Sequence, residues 1–487
     1  MSDDLKKKMV NALTWSMVDR FGQQIIQLII GLIFARLLTP SEFGLLGLIM
    51  VYVALSYVLV ESGFSQALIR KQDANETDYN TVFYFNIIVS ILLYLILFFT
   101  VPFIAKYFNQ PQLIPIGRTL FLAIIFNAFC LVPLTKLTKV LDLKTIAKVN
   151  ITSIIISGSL GLFLALLHLG VWALVAQQVL FNFCRVISFQ YFVKWKPSLI
   201  FSFKVIQGFW KFSLNLLGTS ILNVLFDNLY VLLLGLYYPI KQVGYYTQGK
   251  KLSDTFNFTF QSVLTGSTYP LFAQIQNDNE RFRRIYREIA KKTSIITFPI
   301  MIVLIVAAKS FISVLLTVKF LPSVPYFQLL CLASLFTPLY ALNISALNSK
   351  GKSKITFRIE VMKKALILLS IIICFKFGFI VMLWGYTLAC FIAFIISSFY
   401  LKQVLTHFIR HQFLDFIEPV FIGIFISIFV FGLSFVIHNN QLLLLSQIVI
   451  SGILYILIIK LLFKELYKTT YDFIMAKIGL ISKMSLK

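Results

Sequence analysis

Two stretches of this chain run too far without a charge to fold in water alone. Val149–Cys184 and Pro419–Ile459 contain no Asp, Glu, Lys or Arg. One membrane-spanning helix needs about 20 mostly apolar residues. Each stretch is therefore read as a hairpin of two spans, broken at His168-Leu169-Gly170 and at His438-Asn439-Asn440. The same test along the whole chain predicts an all-α polytopic membrane protein with about fourteen transmembrane helices. Composition agrees: 59% of the 487 residues are hydrophobic and 13% charged, against about 25% charged in soluble domains. The two least apolar candidates are 244–272, which is polar, and 359–377, which carries Lys363 and Lys364 near one end.

The net charge of +25 invites a nucleic-acid reading, but its placement argues against one. With the N-terminus inside, the great majority of the 44 basic residues fall in inward segments. They include Lys6–Lys8, Lys136–Lys148, Arg281–Lys292, Lys350–Lys364 and Lys460–Lys487. Cytoplasmic loops carry such an excess of Lys and Arg. The expectation is an even number of spans, both termini cytoplasmic, and no nucleic-acid partner. The loops leave no room for a folded extramembrane domain. The five cysteines are scattered in apolar stretches with no CxxC spacing, so they read as small buried side chains. No cleavable leader is evident: the basic MSDDLKKK runs into a continuing first span.

The chain repeats itself. ARLLTPSEFG (Ala35–Gly44) returns as GLYYPIKQVG (Gly235–Gly244), with Pro40 matching Pro239 and Gly44 matching Gly244 across one insertion. Pro133 then pairs with Pro338, and Gly170 with Gly378. A unit of roughly 200 residues and six spans occurs twice in one orientation, an arrangement from which transporters are often built. The expected organisation is a six-helix lobe over 1–200, a second over 201–405, and two additional helices with a cytoplasmic tail over 406–487.

Gly244–Leu271 is oily on one stripe and wet on another. Leu252, Phe256, Phe260, Val263 and Leu264 share one helical face; Lys250, Lys251, Asp254, Gln261, Thr265 and Thr268 share another. Charges near the bilayer midplane cost at least a few kcal/mol each. The wet face is thus expected to line a water-filled cavity, the alternative being a helix lying on the membrane surface.

Other spans carry polar groups. Arg20, Gln23, Gln24 and Gln27 share a face of the first span, where Asp19 and Arg20 can also simply snorkel. Glu61 is read as pairing with Arg70 or Arg20, or as serving a coupling cation. Arg185 lies deep in the sixth span and suits a phosphate contact or an interhelical pair. Asp227 stands among Asn215, Asn223 and Asn228 and suits an ion pair or a bound cation. Enzyme signatures are missing: there is no Walker A loop, no GxSxG and no metal-ligand spacing among the four histidines. Neither catalysis nor a cofactor or metal is expected.

Several blocks resemble a known family: WSMVDRFGQQIIQ (15–27), IFARLLTPSEFGLLGL (33–48), ESGFSQALIRK (61–71) and DYNTVFYFN (78–86) in the first part. GVWALVAQQ (170–178), FSLNLLG (212–218), FDNLYVLLLG (226–235) and VGYYTQGKKL (243–252) follow. They are similar to the polysaccharide flippases of the multidrug/oligosaccharidyl-lipid/polysaccharide exporter superfamily, nearest the colanic-acid- and teichuronic-acid-exporter-like branch. The resemblance covers most of residues 1–400. It implies twelve to fourteen helices in two six-helix lobes working by alternating access. It also implies movement of an undecaprenyl-diphosphate-linked oligosaccharide across the bacterial cytoplasmic (inner) membrane, for surface polysaccharide or lipopolysaccharide synthesis. Where many relatives place a basic residue after Gly235, this chain has Leu236.

A diphosphate joined to sugars crosses hydrocarbon only if side chains replace its hydration. On that picture Arg20, Arg185, Lys250 and Lys251 are the head-group candidates. Gln23, Gln27, Asn223, Gln261 and Thr265 are the sugar candidates, and Glu61, Asp227 and Asp254 the coupling-ion candidates. Expected partners are the lipid-linked oligosaccharide, membrane lipids, a coupling proton or sodium ion, and the polymerase and glycosyltransferases of the glycan. Two other functions compete: a cation-coupled small-molecule or drug antiporter relying on Asp227, and a membrane glycosyltransferase or polymerase.

Overall fold

The computed structural model describes residues 3–61, 63–193, 195–405 and 409–464, and among them every regular element is helical. Twelve helices or helix pairs among these residues are long and apolar enough to cross a membrane. The two other long candidates, 244–272 and 359–377, are also helical but are not among the twelve. They are the two that the sequence marks as the most polar. The chain forms two compact units, residues 1–248 and 249–487.

The first unit holds α1 (Asp3–Leu37), α2 (Pro40–Glu61), α3 (Phe64–Arg70), α4 (Glu76–Tyr107), α5 (Leu113–Leu120) and α6 (Leu122–Lys139). It continues with α7 (Leu143–Leu166), α8 (Val171–Phe192), α9 (Phe203–Tyr237) and the start of α10 (Ile240–Gln274). The uncharged stretch Val149–Cys184 is the α7–α8 hairpin, as expected. Its turn runs through positive φ at His168 and at Gly170 (57°). A side chain at Gly170 would also collide with the Glu42 carboxylate, so both conformation and space call for glycine there. Helix α2 packs against α4, α5, α6, α8 and α9. Its buried face includes Phe43, Leu45, Leu48, Ile49 and Val60.

The TPSE motif explains the start of α2. Pro40 is its first residue, where a missing N–H costs nothing. The backbone N–H and hydroxyl of Thr39 both donate to Glu42 Oε2, at 2.6 and 2.9 Å. The chain's reach back from the third helical residue is half of a capping box.

The DYNT motif anchors a connection. Asp78 completes a capping box with Asn75 and takes an ion pair from Lys71 at 2.8 Å. Asn80 Oδ1 accepts the Ser198 N–H at 2.8 Å, and Thr81 Oγ1 accepts the Ser202 N–H at 3.1 Å. Glu76 accepts from Lys136 Nζ at 2.6 Å and from the Trp195 indole at 2.7 Å. The segment joining α8 to α9 is thereby pinned to the start of α4. Lys139 Nζ donates to the Lys71 carbonyl at 2.5 Å, covering the acceptors left open at the end of α3.

The second unit contains the rest of α10, α11 (Asn279–Val306), α12 (Ala308–Leu315), α13 (Val324–Ser334), α14 (Thr337–Ser349) and α15 (Ser353–Cys374). After these come α16 (Phe379–Leu405), α17 (Ile409–Val436) and α18 (Asn440–Leu462). Its interior is aromatic: Phe298 stacks on Phe416 at 5.8 Å, and Phe336 on Phe394 at 5.2 Å. It also holds a buried polar chain. The Tyr286 hydroxyl donates to Asn343 Oδ1 at 2.5 Å, and Asn343 Nδ2 donates to Ser397 and Ser398 at 2.8 and 3.1 Å. Satisfied in this way, buried polar groups fix one packing arrangement.

The second uncharged stretch is the α17–α18 hairpin, and Asn439 caps α18 through the N–H groups of Gln441 and Leu442. The hairpin docks on α11 and α12. Gln447 accepts from Ser310 at 2.5 Å and donates to the Val430 carbonyl at 3.2 Å. The five cysteines are free thiols.

Candidate functional site

In α1, Asp19 accepts hydrogen bonds from Gln23 Nε2 at 2.8 Å and from Asn150 Nδ2 of α7 at 3.2 Å. The carboxylate is thus satisfied by amides. Gln23, a sugar candidate, is half-buried in that contact, whereas Arg20 and Gln27 are exposed. In α9, Asn223 and Asp227 lie one turn apart and are both exposed. Glu61 is half-buried and makes no ion pair among the described residues. Arg70, one of its expected partners, instead lies 5.0 Å over the Phe212 ring.

Arg185 lies within α8, a span. Its guanidinium stands 5.6 Å over the Phe181 ring and 5.8 Å from the Phe189 ring, one turn to either side. Such stacking attracts a cation without neutralising it. Its Nε is buried and has no hydrogen-bond partner. One turn earlier, Asn182 Nδ2 donates to the Tyr57 hydroxyl of α2 at 3.1 Å. The interhelical ion pair considered for Arg185 is not found among the described residues.

The stripe of α10 divides. Lys251 and Asp254 are exposed, Lys250 and Gln261 half-buried, and Leu252 buried, as the two-faced reading expects. Further along, the polar side turns into protein. Asn257 Nδ2 donates to Ser334, Thr268 Oγ1 lies 3.2 Å from Ser345 Oγ, and Cys331 lies beside Ser253. Thr268 is therefore buried, not wet. The side chain of Thr265 lies outside the described residues. Tyr245 and Tyr246 are buried too, the latter beside Tyr230 at 6.4 Å, so neither is free to stack on a sugar.

The repeat meets itself where α2 crosses α10. A Cβ on Gly244 would fall 1.7 Å from the Pro40 carbonyl oxygen, and one on Gly44 would fall 2.2 Å from that of Ile240. Each glycine therefore faces the carbonyl four residues ahead of the other. Only two bare backbones can approach so closely. The crossing pairs Pro40 with Ile240 and Gly44 with Gly244 at one constant offset. The insertion that the sequence alignment required disappears: proline stands at the first residue of α2 but just ahead of α10.

Sequence reasoning missed Asn150 and the Tyr57–Asn182 contact. Each is a lone polar residue in an apolar span, and nothing in the sequence says which helix it faces.

The described residues form an all-helical, multi-pass membrane protein, and solved structures share its fold. A lipid II flippase, MurJ, in an inward closed conformation superposes with a TM-score of 0.71 at 16% identity, covering 93% of this chain and 99% of that one. An inward-facing multidrug resistance MATE family transporter of the MOP superfamily gives 0.60 at 15% identity, covering 78% and 95%. The polysaccharide biosynthesis protein family model matches residues 33–325, more than half of the chain. The chain belongs to that family.

Relatives include the teichuronic acid biosynthesis protein TuaB of Bacillus subtilis (strain 168), 24% identical over 88% of this chain and 90% of its own. The lipopolysaccharide biosynthesis protein WzxC of Escherichia coli (strain K12) is 24% identical over 86% of each. The succinoglycan biosynthesis transport protein ExoT of Rhizobium meliloti (strain 1021) is 22% identical over 61% and 60%. The family resemblance read from the blocks above is thereby established, and the protein is a transporter, not an enzyme.

Proposed function

We propose that this protein moves an undecaprenyl-diphosphate-linked oligosaccharide from the inner to the outer leaflet of the bacterial cytoplasmic membrane, for surface polysaccharide or lipopolysaccharide synthesis. Both termini are cytoplasmic on this reading, following the Lys/Arg distribution. The observation that carries it is Arg185: a guanidinium inside a span, with a buried Nε that has no hydrogen-bond partner among the described residues. A buried donor left open costs about 1–3 kcal/mol. A phosphate oxygen would recover that cost in a charge-assisted bond. A neutral acceptor would recover less of it, and a cationic group none.

The movement is alternating access of the two six-helix lobes, 1–200 and 201–405. The internal repeat supports this: Gly44 and Gly244 occupy corresponding points of it and meet at close approach of their backbones.

The test is leaflet exchange of a fluorescent undecaprenyl-diphosphate oligosaccharide in proteoliposomes. The wild type should move it. Arg185→Gln at matched protein level should move it at least tenfold more slowly, and Arg185→Lys should recover part of the rate. Exchange by Arg185→Gln at the wild-type rate, or equal exchange of a glycolipid with an uncharged head, would remove the anionic head group from the reading.

A further inference from the structure

The first turns of α11 carry a second cationic feature, distant in sequence from every head-group candidate above. Asp278 caps the helix by accepting the Arg281 N–H at 2.9 Å. The helix then reads NERFRRIYREIAKK before turning apolar at Thr293. Its roll is fixed from the buried side. Phe282 stacks on Phe272 at 4.7 Å, Tyr286 bonds to Asn343, and Ala290 is buried as well. Arg281, Arg283, Arg284 and Arg287 consequently face outward.

These arginines and Lys291 line an open recess of about 750 Å³. The carboxylates around it are largely committed. Asp278 caps the helix, and Glu288 pairs with Lys292 at 2.6 Å. Lys291 pairs with Glu418 at 3.1 Å, and Glu280 remains at the recess edge. Arg281, Arg283 and Arg284 make no ion pair among the described residues.

Height along the helix narrows the ligand. At 1.5 Å per residue, Arg284 and Arg283 stand about 14 and about 15 Å beyond the start of the apolar half at Thr293, and Arg287 about 9 Å. The polar head-group layer extends about 5–8 Å past the hydrocarbon on each side. Arginine side chains reaching back toward the membrane therefore meet groups that project from it. An arginine fork takes two oxygens at once, and Arg281, Arg283 and Arg284 stand within about one turn, Arg281 and Arg284 as i, i+3 neighbours. Three neighbouring forks suit two linked phosphoryl groups better than one.

We propose that this recess is a docking site for a lipid-borne diphosphate at the cytoplasmic surface, separate from Arg185. It rests on the function proposed above for the identity of the lipid and for which side is cytoplasmic.

The test uses the full chain in nanodiscs, with farnesyl diphosphate as probe and farnesyl monophosphate as comparison. Arg281→Gln/Arg283→Gln/Arg284→Gln should bind the diphosphate at least tenfold more weakly and with a shallower salt dependence. Lys354→Gln, exposed on α15 and outside the recess, should bind it as the wild type does. The wild type should bind the monophosphate at least tenfold more weakly than the diphosphate. Should the triple variant fail to fold, Arg284→Lys, which keeps the charge and loses the fork, should show a smaller loss of the same sign.

Three results would each overturn the site: undiminished binding by the variants, an equal loss of binding in Lys354→Gln, or full displacement of the probe by phosphatidylglycerol discs. Leaflet exchange by the wild type is scored separately. A protein that exchanges the glycolipid yet fails these binding tests keeps its function and loses the recess.

Discussion

The corner between α1 and α2 and the corner between α9 and α10 are repeats of one another, and they have diverged unevenly. Both bring a glycine five residues into the second helix against a carbonyl of the other. Around that shared contact, their chemistry differs. The first corner is clasped by Thr39 and Glu42. That clasp is added to backbone bonds that both corners share, Leu38 N–H to Phe34 at 2.8 Å and Glu42 N–H to Thr39 at 3.2 Å in the first, Tyr238 N–H to Leu234 at 2.9 Å and Gln242 N–H to Pro239 at 2.8 Å in the second. Helix α2 then runs on as a buried apolar rod, while α10 soon exposes Lys251 and Asp254. Backbone proximity leaves no choice of residue at the crossing. A helix start can be stabilised by several means, so it is free to drift.

The largest expected effect is a direct breach of the crossing. Gly44→Leu and Gly244→Leu should each reduce the yield of monodisperse protein at least tenfold, read by size-exclusion chromatography in detergent. A variant that purifies normally would show that the two backbones are not in contact.

Next in size, Gly44→Ala and Gly244→Ala should each destabilise by about 1–3 kcal/mol, the usual cost of overpacking, measured by thermal unfolding. The double variant should cost less than the sum, because one displacement relieves both collisions. Strict additivity, or one silent alanine, would break the reciprocity.

The smallest effect separates the corners. Glu42→Ala should cost about 0.5–2 kcal/mol, because it removes both bonds of the clasp. Pro239→Ala should cost about 0.4–1 kcal/mol through the unfolded chain. Equal losses would erase the difference between the corners.

Much of this architecture was legible in the residues. The two uncharged hairpins turn where His168-Leu169-Gly170 and His438-Asn439-Asn440 said they would, since a run too long for one bilayer must fold back. The polar stripe of α10 was legible only at its beginning. Helical periodicity groups Lys251 with Thr268 but carries no information on what lies alongside. Thr268 is spent on Ser345, whereas Lys251 remains exposed. The ionic partner suggested for Glu61 failed for the same reason. Arg70 is near in sequence, and an aromatic ring from α9 is nearer in space. The DYNT block read as a family mark, and the structure gives it a mechanical task, holding the segment that leads into α9.

By itself, then, the sequence determined the solvent in which this protein folds, its helical content, its internal duplication and its family. Apolar run length, charge placement and local spacing are properties of the chain alone. Tertiary structure decided which polar side chains spend their hydrogen bonds inside the protein and which keep them. It left Arg185 stacked but unanswered, turned four arginines of α11 outward by burying Phe282 and Tyr286, and set Gly44 against Gly244. Those outcomes depend on the facing helix, and a pairing between residues two hundred positions apart is a matter of geometry that local pattern cannot encode.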